Sequence, residues 1–285
     1  MHDVTVRVVT DSTSDLPPEV VEDLGIVVVP LHIHFGEETY EDGVTISKDE
    51  FYRRLTTEDI LPKTSAPSAG SFTEAYEALA VETGEIISIH ISNKLSATYQ
   101  SALLGKADVK SDCRIEVIDT WQASIGLGVL VVRAAELAKQ GASLDEITRD
   151  IHAAAERTQF FGVLDTLDYL HKGGRIGMAA TLLGSILHVK PILGLRNGLA
   201  HPIERVRGRA KALDRFSEMV ASYGAVSSVA LAYTTNKEEM EALVTRLSQF
   251  FPGNRIMCSQ CGATLGTYLG PNTVCVGLIQ EIASA

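Results

Sequence analysis

Short, continuous apolar runs alternate with amphipathic stretches over the first half of the chain. The runs "VTVRVVTDS" (4–12), "IVVVPLHIHF" (26–35), "EIISIHIS" (85–92) and "RIEVIDT" (114–120) have the length and β-branched content of buried strands. Between and after them, 16–25, 47–55, 71–81, 96–109 and 124–141 read as helices. Prolines fill the first turn of 16–25 and Gly25 closes it. Ser47 stands three residues before Glu50, the capping-box spacing. The polar, acidic "GEETYEDG" (36–43) reads as a turn. Buried strands separated by helices predict a parallel sheet covered on both faces.

The pattern then changes. An amphipathic helix at 143–158 leads into a strand at 159–166, and "LDYLHKGGRIG" (167–177) reads as a short helix entering a glycine turn. An apolar helix is expected at 178–189, and a hairpin at 190–208 turning on Asn197-Gly198. Helices at 209–224 and 236–251 flank a strand at 227–235, and 273–282 is a last strand or helix. The glycines at 262, 266 and 270 make "GATLGTYLGPNTVCVGL" a tight loop carrying Thr267 and Tyr268. Helices mixed with hairpins predict a mixed or antiparallel sheet. The expected fold class is α/β with two domains, 1–157 and 158–285; no Pro/Gly/Ser-rich linker joins them, so the halves pack closely.

Composition narrows the function. Of 285 residues 45% are hydrophobic and 21% charged, a globular balance. A net charge of −11 argues against nucleic acid and against an anionic membrane surface. No secretory pattern opens the sequence, and no uncharged stretch reaches the ~20 residues of a membrane helix. A soluble cytoplasmic chain is expected. Cys113, Cys258, Cys261 and Cys275 are too scattered for a disulfide framework. Cys258 and Cys261 form a Cys-x-x-Cys with nothing nearby to complete a zinc set, and His32 and His34 share a strand face without a third ligand.

Two turns concentrate small hydroxyls before helices: "KTSAPSAGSF" (63–72), with Thr64, Ser65 and Ser68, and "ISNKLSATYQSA" (91–102), with Ser92, Asn93 and Ser96. Helix starts offer unpaired N–H groups and partial positive charge to a phosphate or carboxylate. Plain helix capping accounts for the same residues, and both readings stand at this point. In "HKGGRIG" (171–177) a glycine turn presents Arg175, a clamp for an anion or one half of a surface ion pair. Arg205, Arg207 and Arg209, alternating along one strand face before Lys211, form a basic patch or a solvated face. No dinucleotide fingerprint, P-loop lysine, nucleophile elbow or zinc-protease motif occurs. These residues read as a binding protein. The alternative is an enzyme acting on a small phosphorylated or carboxylated metabolite held by Arg175.

Seven motifs follow one another: "VTDSTSDLP", "VPLHI" with "YEDG" after it, "KTSAPS", "ISNKLSATYQSA", "VIDTWQASIGLG", "LDYLHKGGRI" and "GTYLGP". In this order they resemble the DegV family, bacterial fatty-acid-binding proteins, over essentially the whole chain. The resemblance implies two intertwined α/β domains with a long-chain fatty acid such as palmitate buried between them. It implies a carboxylate held by Thr64 and Ser96, no metal and no dissociable cofactor. For some members it implies presentation of the acid to a separate fatty acid kinase, which makes an acyl phosphate for phospholipid synthesis. Ser65, Ser92, Asn93, Arg175, Thr267 and Tyr268 complete the expected ligand-binding set. Tyr268 stands where the family pattern has a histidine, Ala66 where it has Gln, and "SNKLSAT" replaces a Ser-Ser-x-Leu-Ser-Gly-Thr pattern. Tyrosine donates a hydrogen bond but is a poor acid or base near neutral pH, which bears on the kinase role more than on lipid binding.

Overall fold

The computed structural model describes residues 6–184, 189–251 and 256–281. The chain begins β1 (Arg7–Asp11), α1 (Pro18–Leu24), β2 (Val27–Val29), β3 (His32–Phe35), β4 (Glu38–Glu41), α2 (Lys48–Thr57), β5 (Lys63–Ser65) and α3 (Ala69–Ala80). It continues β6 (Glu85–His90), α4 (Thr98–Ala107), β7 (Arg114–Asp119), α5 (Ile125–Lys139), α6 (Leu144–Arg157), β8 (Thr158–Val163) and α7 (Asp168–Lys172). It ends β9 (Val189–Arg196), β10 (Leu199–Arg207), α8 (Arg209–Ala221), β11 (Val226–Tyr233), α9 (Lys237–Leu247), β12 (Met257–Gln260), α10 (Ala263–Leu269) and β13 (Val274–Gln280). Short 3-10 turns occupy Ser12–Ser14 and Gly177–Leu182.

Three sheets result. The strands β2-β1-β6-β7 form a parallel sheet in that order, as the alternation of buried strands and helices predicts. A small antiparallel sheet has the order β4-β3-β5. A six-stranded mixed sheet runs β10-β9-β8-β13-β11-β12, antiparallel except where β11 meets β12. Neighbouring strand residues bury on opposite faces. Thus Val9, Ile86 and Ile115 pack with Phe72 and Tyr76 of α3 and Ala102 of α4, whereas Val8, Ile87 and Ile118 pack with Leu127 and Val131 of α5 and Ile147 of α6.

The first two turns of α5, 125–132, are apolar all round because both large sheets use the helix. Leu127, Val131 and Ala134 join the core under the parallel sheet, while Ile125, Val129 and Leu130 pack on Ala230, Ala232, Cys275 and Ile279 of the mixed sheet. The other face of the mixed sheet is covered by Phe216 and Val220 of α8 and Met240, Leu243 and Leu247 of α9. Among the described residues no helix is long and apolar enough to cross a membrane.

Five expectations need correction. The run 26–35 is two strands in two sheets, broken at Pro30, which has no N–H to donate; Leu31 turns instead to Ser12 Oγ and the Asp42 N–H. The acidic turn at 36–43 contains β4, paired with β3 from Phe35↔Glu38 onward. The apolar helix at 178–189 is a 3-10 turn as far as Leu182; residues 185–188 lie outside the described ones, and Val189 already begins β9. The loop at 262–270 is the helix α10. Arg209 belongs to α8 and pairs with Glu239, so it shares no strand face with the exposed Arg205 and Arg207. The hairpin turn at Asn197-Gly198 forms as expected, with both residues at positive φ.

Candidate functional site

A cavity of about 1000 Å³, its open mouth included, lies where the loops after β1, β6 and β7 face α10 and the β8–β9–β10 part of the mixed sheet. Ligands of open parallel sheets sit at this carboxyl edge. The walls are mostly apolar, with Leu31, Ile91, Leu95, Phe160, Leu164, Leu193, Leu265 and Leu269 prominent. The polar lining is confined to Thr13, Thr64, Ser65, Ser96, Arg175, Thr264 and Tyr268, with the thiol of Cys275. Of the apolar segments 178–193 and 123–132, only Leu193 and Ala123 contribute among the described residues.

Thr64, Tyr268 and Arg175 form one continuous group, and Ser96, next to the Leu95 that Arg175 bonds, lines the same cavity. The hydroxyls of Thr64 and Tyr268 are 2.5 Å apart. One proton lies between the two oxygens, leaving the other hydroxyl proton free to donate. The Arg175 guanidinium sits 5.2 Å over the Tyr268 ring, and its Nε and Nη1 donate to Leu95 O (3.2 Å) and Gly173 O (3.0 Å). These bonds set the guanidinium plane beside Ser96 and leave further N–H groups to donate. The ring position requires Gly173: a Cβ there would lie 2.5 Å from Tyr268 Cδ1. Ser96 Oγ lies 2.8 Å from Thr98 Oγ1 and accepts the Thr98 N–H at the start of α4. Ser65 Oγ lies 2.9 Å from His34 Nε2.

The remaining expected residues are elsewhere. Ser92 is buried, and its hydroxyl donates to Gly198 O (2.8 Å) at the tip of the β9–β10 hairpin. Gly198 permits that approach, since a Cβ would come within 2.4 Å of Ser92 Oγ. Thr267 is buried with its hydroxyl donating to Ala263 O, one turn back in α10. Neither lines the cavity. Asn93 is exposed in a neighbouring groove with Lys94 and Arg175, and its N–H donates to Asp119. Ser68 is the N-cap of α3, accepting the Ser71 N–H at 3.0 Å.

Two buried carboxylates hold α10 against the cavity. Asp42 accepts the N–H groups of Ala263 (2.8 Å) and Thr264 (3.1 Å), and Asp15 accepts the Gly262 N–H (2.7 Å) and the Ser124 hydroxyl (2.6 Å). Burial pushes the Asp15 carboxyl up to about 6, against the opposing pull of Lys48 and these hydrogen bonds. Behind Thr13 runs a buried chain from Tyr76 OH to Ser88 Oγ to His90 to Asp11. Thr13 and Thr264 went unnoticed in the sequence; the motif around Thr13 was visible, but nothing marked which of its hydroxyls faces inward.

No metal set emerges. Among the described residues no three His, Cys, Asp or Glu side chains converge. Cys258 and Cys261 join separate cores, as odd spacing on extended backbone requires, and no disulfide joins them.

Comparison with known proteins gives one family. The model described as that of the uncharacterised protein family DegV matches residues 5–281. A DegV domain-containing protein of Caldanaerobacter subterraneus subsp. tengcongensis is 37% identical over 270 residues, covering 94% of this chain and 96% of that one. The crystal structure of DegV from Bacillus subtilis, described as a fatty acid binding protein, is 31% identical with a TM-score of 0.89, covering 98% of this chain and all of that one (100%). A stearic acid-binding protein from Eubacterium ventriosum is 27% identical with a TM-score of 0.89, covering 96% of this chain and 98% of that one.

Proposed function

The chain belongs to the DegV family, and from that premise we propose that it binds a long-chain fatty acid, such as palmitate, in the apolar cavity. The single observation behind this is that Thr64, Arg175 and Tyr268, from three separate parts of the chain, are linked through Tyr268 in a mostly apolar cavity that Ser96 also lines. A buried carboxylate needs several donors, and this group offers hydroxyl and guanidinium protons. The acyl tail supplies about 0.8 kcal/mol per buried CH₂, so affinity comes from the tail and orientation from the hydroxyls. The similar proteins from Bacillus subtilis and Eubacterium ventriosum are described as fatty acid binding and stearic acid-binding, which supports the same class of ligand here.

On this reading the acid sits between domains of residues 1–157 and 158–285, since lining residues come from both sides of that division. Its carboxylate end lies beside the exposed Arg175. That placement suits a carrier that presents the acid to a separate kinase, with Tyr268 serving as a hydrogen-bond donor and not as a base.

The test is native mass spectrometry of gently purified protein with extraction of bound lipid. Recovery of fatty acid, or uptake of labelled palmitate, is expected; protein that takes up none overturns the proposal. Thr64→Ala combined with Ser96→Ala should weaken palmitate binding by about 10-fold or more, the loss of charge-assisted hydrogen bonds, with the fold retained.

A further inference from the structure

The cavity has a second polar position that an unsubstituted acyl chain leaves unused. Thr264 lies four residues before Tyr268 on α10, about 6 Å of helix rise away. It is 3% exposed, it is among the residues lining the cavity, and its buried hydroxyl has no hydrogen-bond partner among the described residues. Buried hydroxyls are costly to leave unpaired, so the missing partner is sought in the ligand.

Thr13 supplies the complement. It lines the same cavity, is fully buried, and its hydroxyl donates to Asp11 Oδ1. Asp11 is committed as an acceptor, taking the N–H groups of Thr13 (3.0 Å) and Ile91 (3.2 Å) as well. With its one proton engaged, Thr13 Oγ1 can only accept from a further partner, whereas Thr264 still has a proton to give. The turn at Ser12–Ser14 packs against α10, and the Gly262 N–H is bound by Asp15 immediately beyond that turn. A ligand hydroxyl answers both residues, donating to Thr13 and accepting from Thr264.

Resting on the fatty acid reading above, we infer that the preferred ligand is a hydroxy fatty acid. Its hydroxyl lies on the carboxyl-proximal part of the chain and is received by Thr13 and Thr264. The position follows from Thr264 being one helical turn from Tyr268 at the carboxylate end.

The full-length protein is titrated with palmitate, β-hydroxypalmitate and ω-hydroxypalmitate. The β-hydroxy acid should bind about 5- to 150-fold more tightly than palmitate, the range of two added hydrogen bonds, and the ω-hydroxy acid should not. Thr264→Val should abolish that preference, read as the ratio of the two affinities, and Thr264→Ser should keep it; Thr264→Ala replaces the valine variant should that fail to fold. Equal affinities, a preference extending to the ω-hydroxy acid, or a preference surviving Thr264→Val each overturn the hydroxyl inference and leave fatty acid binding intact. Failure of all three acids to bind overturns both.

Discussion

Thr64 and Ser68 sit four residues apart in one polar stretch and do different work. Thr64 turns its hydroxyl to Tyr268 at the cavity, while Ser68 caps α3. Ser68→Ala should therefore lower stability by about 1 kcal/mol in denaturant titration and leave fatty acid affinity unchanged. Tyr268→Phe should do the reverse. It removes the partner of Thr64 and one donor, so binding should weaken about 3- to 10-fold with little change in melting temperature. Both hydroxylated turns were legible in the sequence, because small hydroxyls before amphipathic runs mark helix starts. The use of each hydroxyl was not. Ser92 and Thr267 have the same chemistry as Ser96 and Thr64 but spend it on backbone oxygens, one of them 106 residues away.

At the scale of elements, the alternation of strands and helices was readable wherever local propensity and burial agree, as in α2, α6 and the β9–β10 hairpin. It misled where distant partners decide. Three glycines made 262–270 look like a loop, yet α10 forms because Asp15 and Asp42 accept its first amides across 247, 221 and 222 residues of sequence. Asp42→Ala should leave two buried N–H groups unsatisfied, cost about 1–3 kcal/mol, and weaken ligand binding, since α10 carries Leu265, Tyr268 and Leu269 to the cavity. The strand at 26–35 broke for a local reason, Pro30. The three-stranded sheet was missed because β5 is only three residues long and has no periodicity to read. In α5 the sequence showed an apolar helix, but only the packing shows that two sheets claim its opposite sides.

For the whole molecule, Asp15 links stability to pH. Its carboxyl is pushed up to about 6 by burial, above the value of about 4 in an unfolded chain, so the native state holds this proton more tightly. The sign follows: this group favours folding most below pH 4, and its contribution declines as pH rises through 6. Over that interval the stability of the wild type relative to Asp15→Asn should fall by about 3 kcal/mol, read from denaturant melts at each pH. A rise, or no change, would show that Asp15 is not buried against α10 as described.

The place of β13 has a consequence for how the protein is made. It lies between β8 and β11, so the six-stranded sheet stays in two pieces until residue 280 has left the ribosome. A nascent chain that has already assembled its parallel sheet still carries α5 with one apolar side uncovered, and the cavity lacks the wall that Leu265, Tyr268 and Cys275 provide. Such a chain lacks the complete cavity and has a surface prone to self-association. Closure of the cavity therefore waits on synthesis of β13, and a chain arrested before it keeps that apolar surface open to self-association.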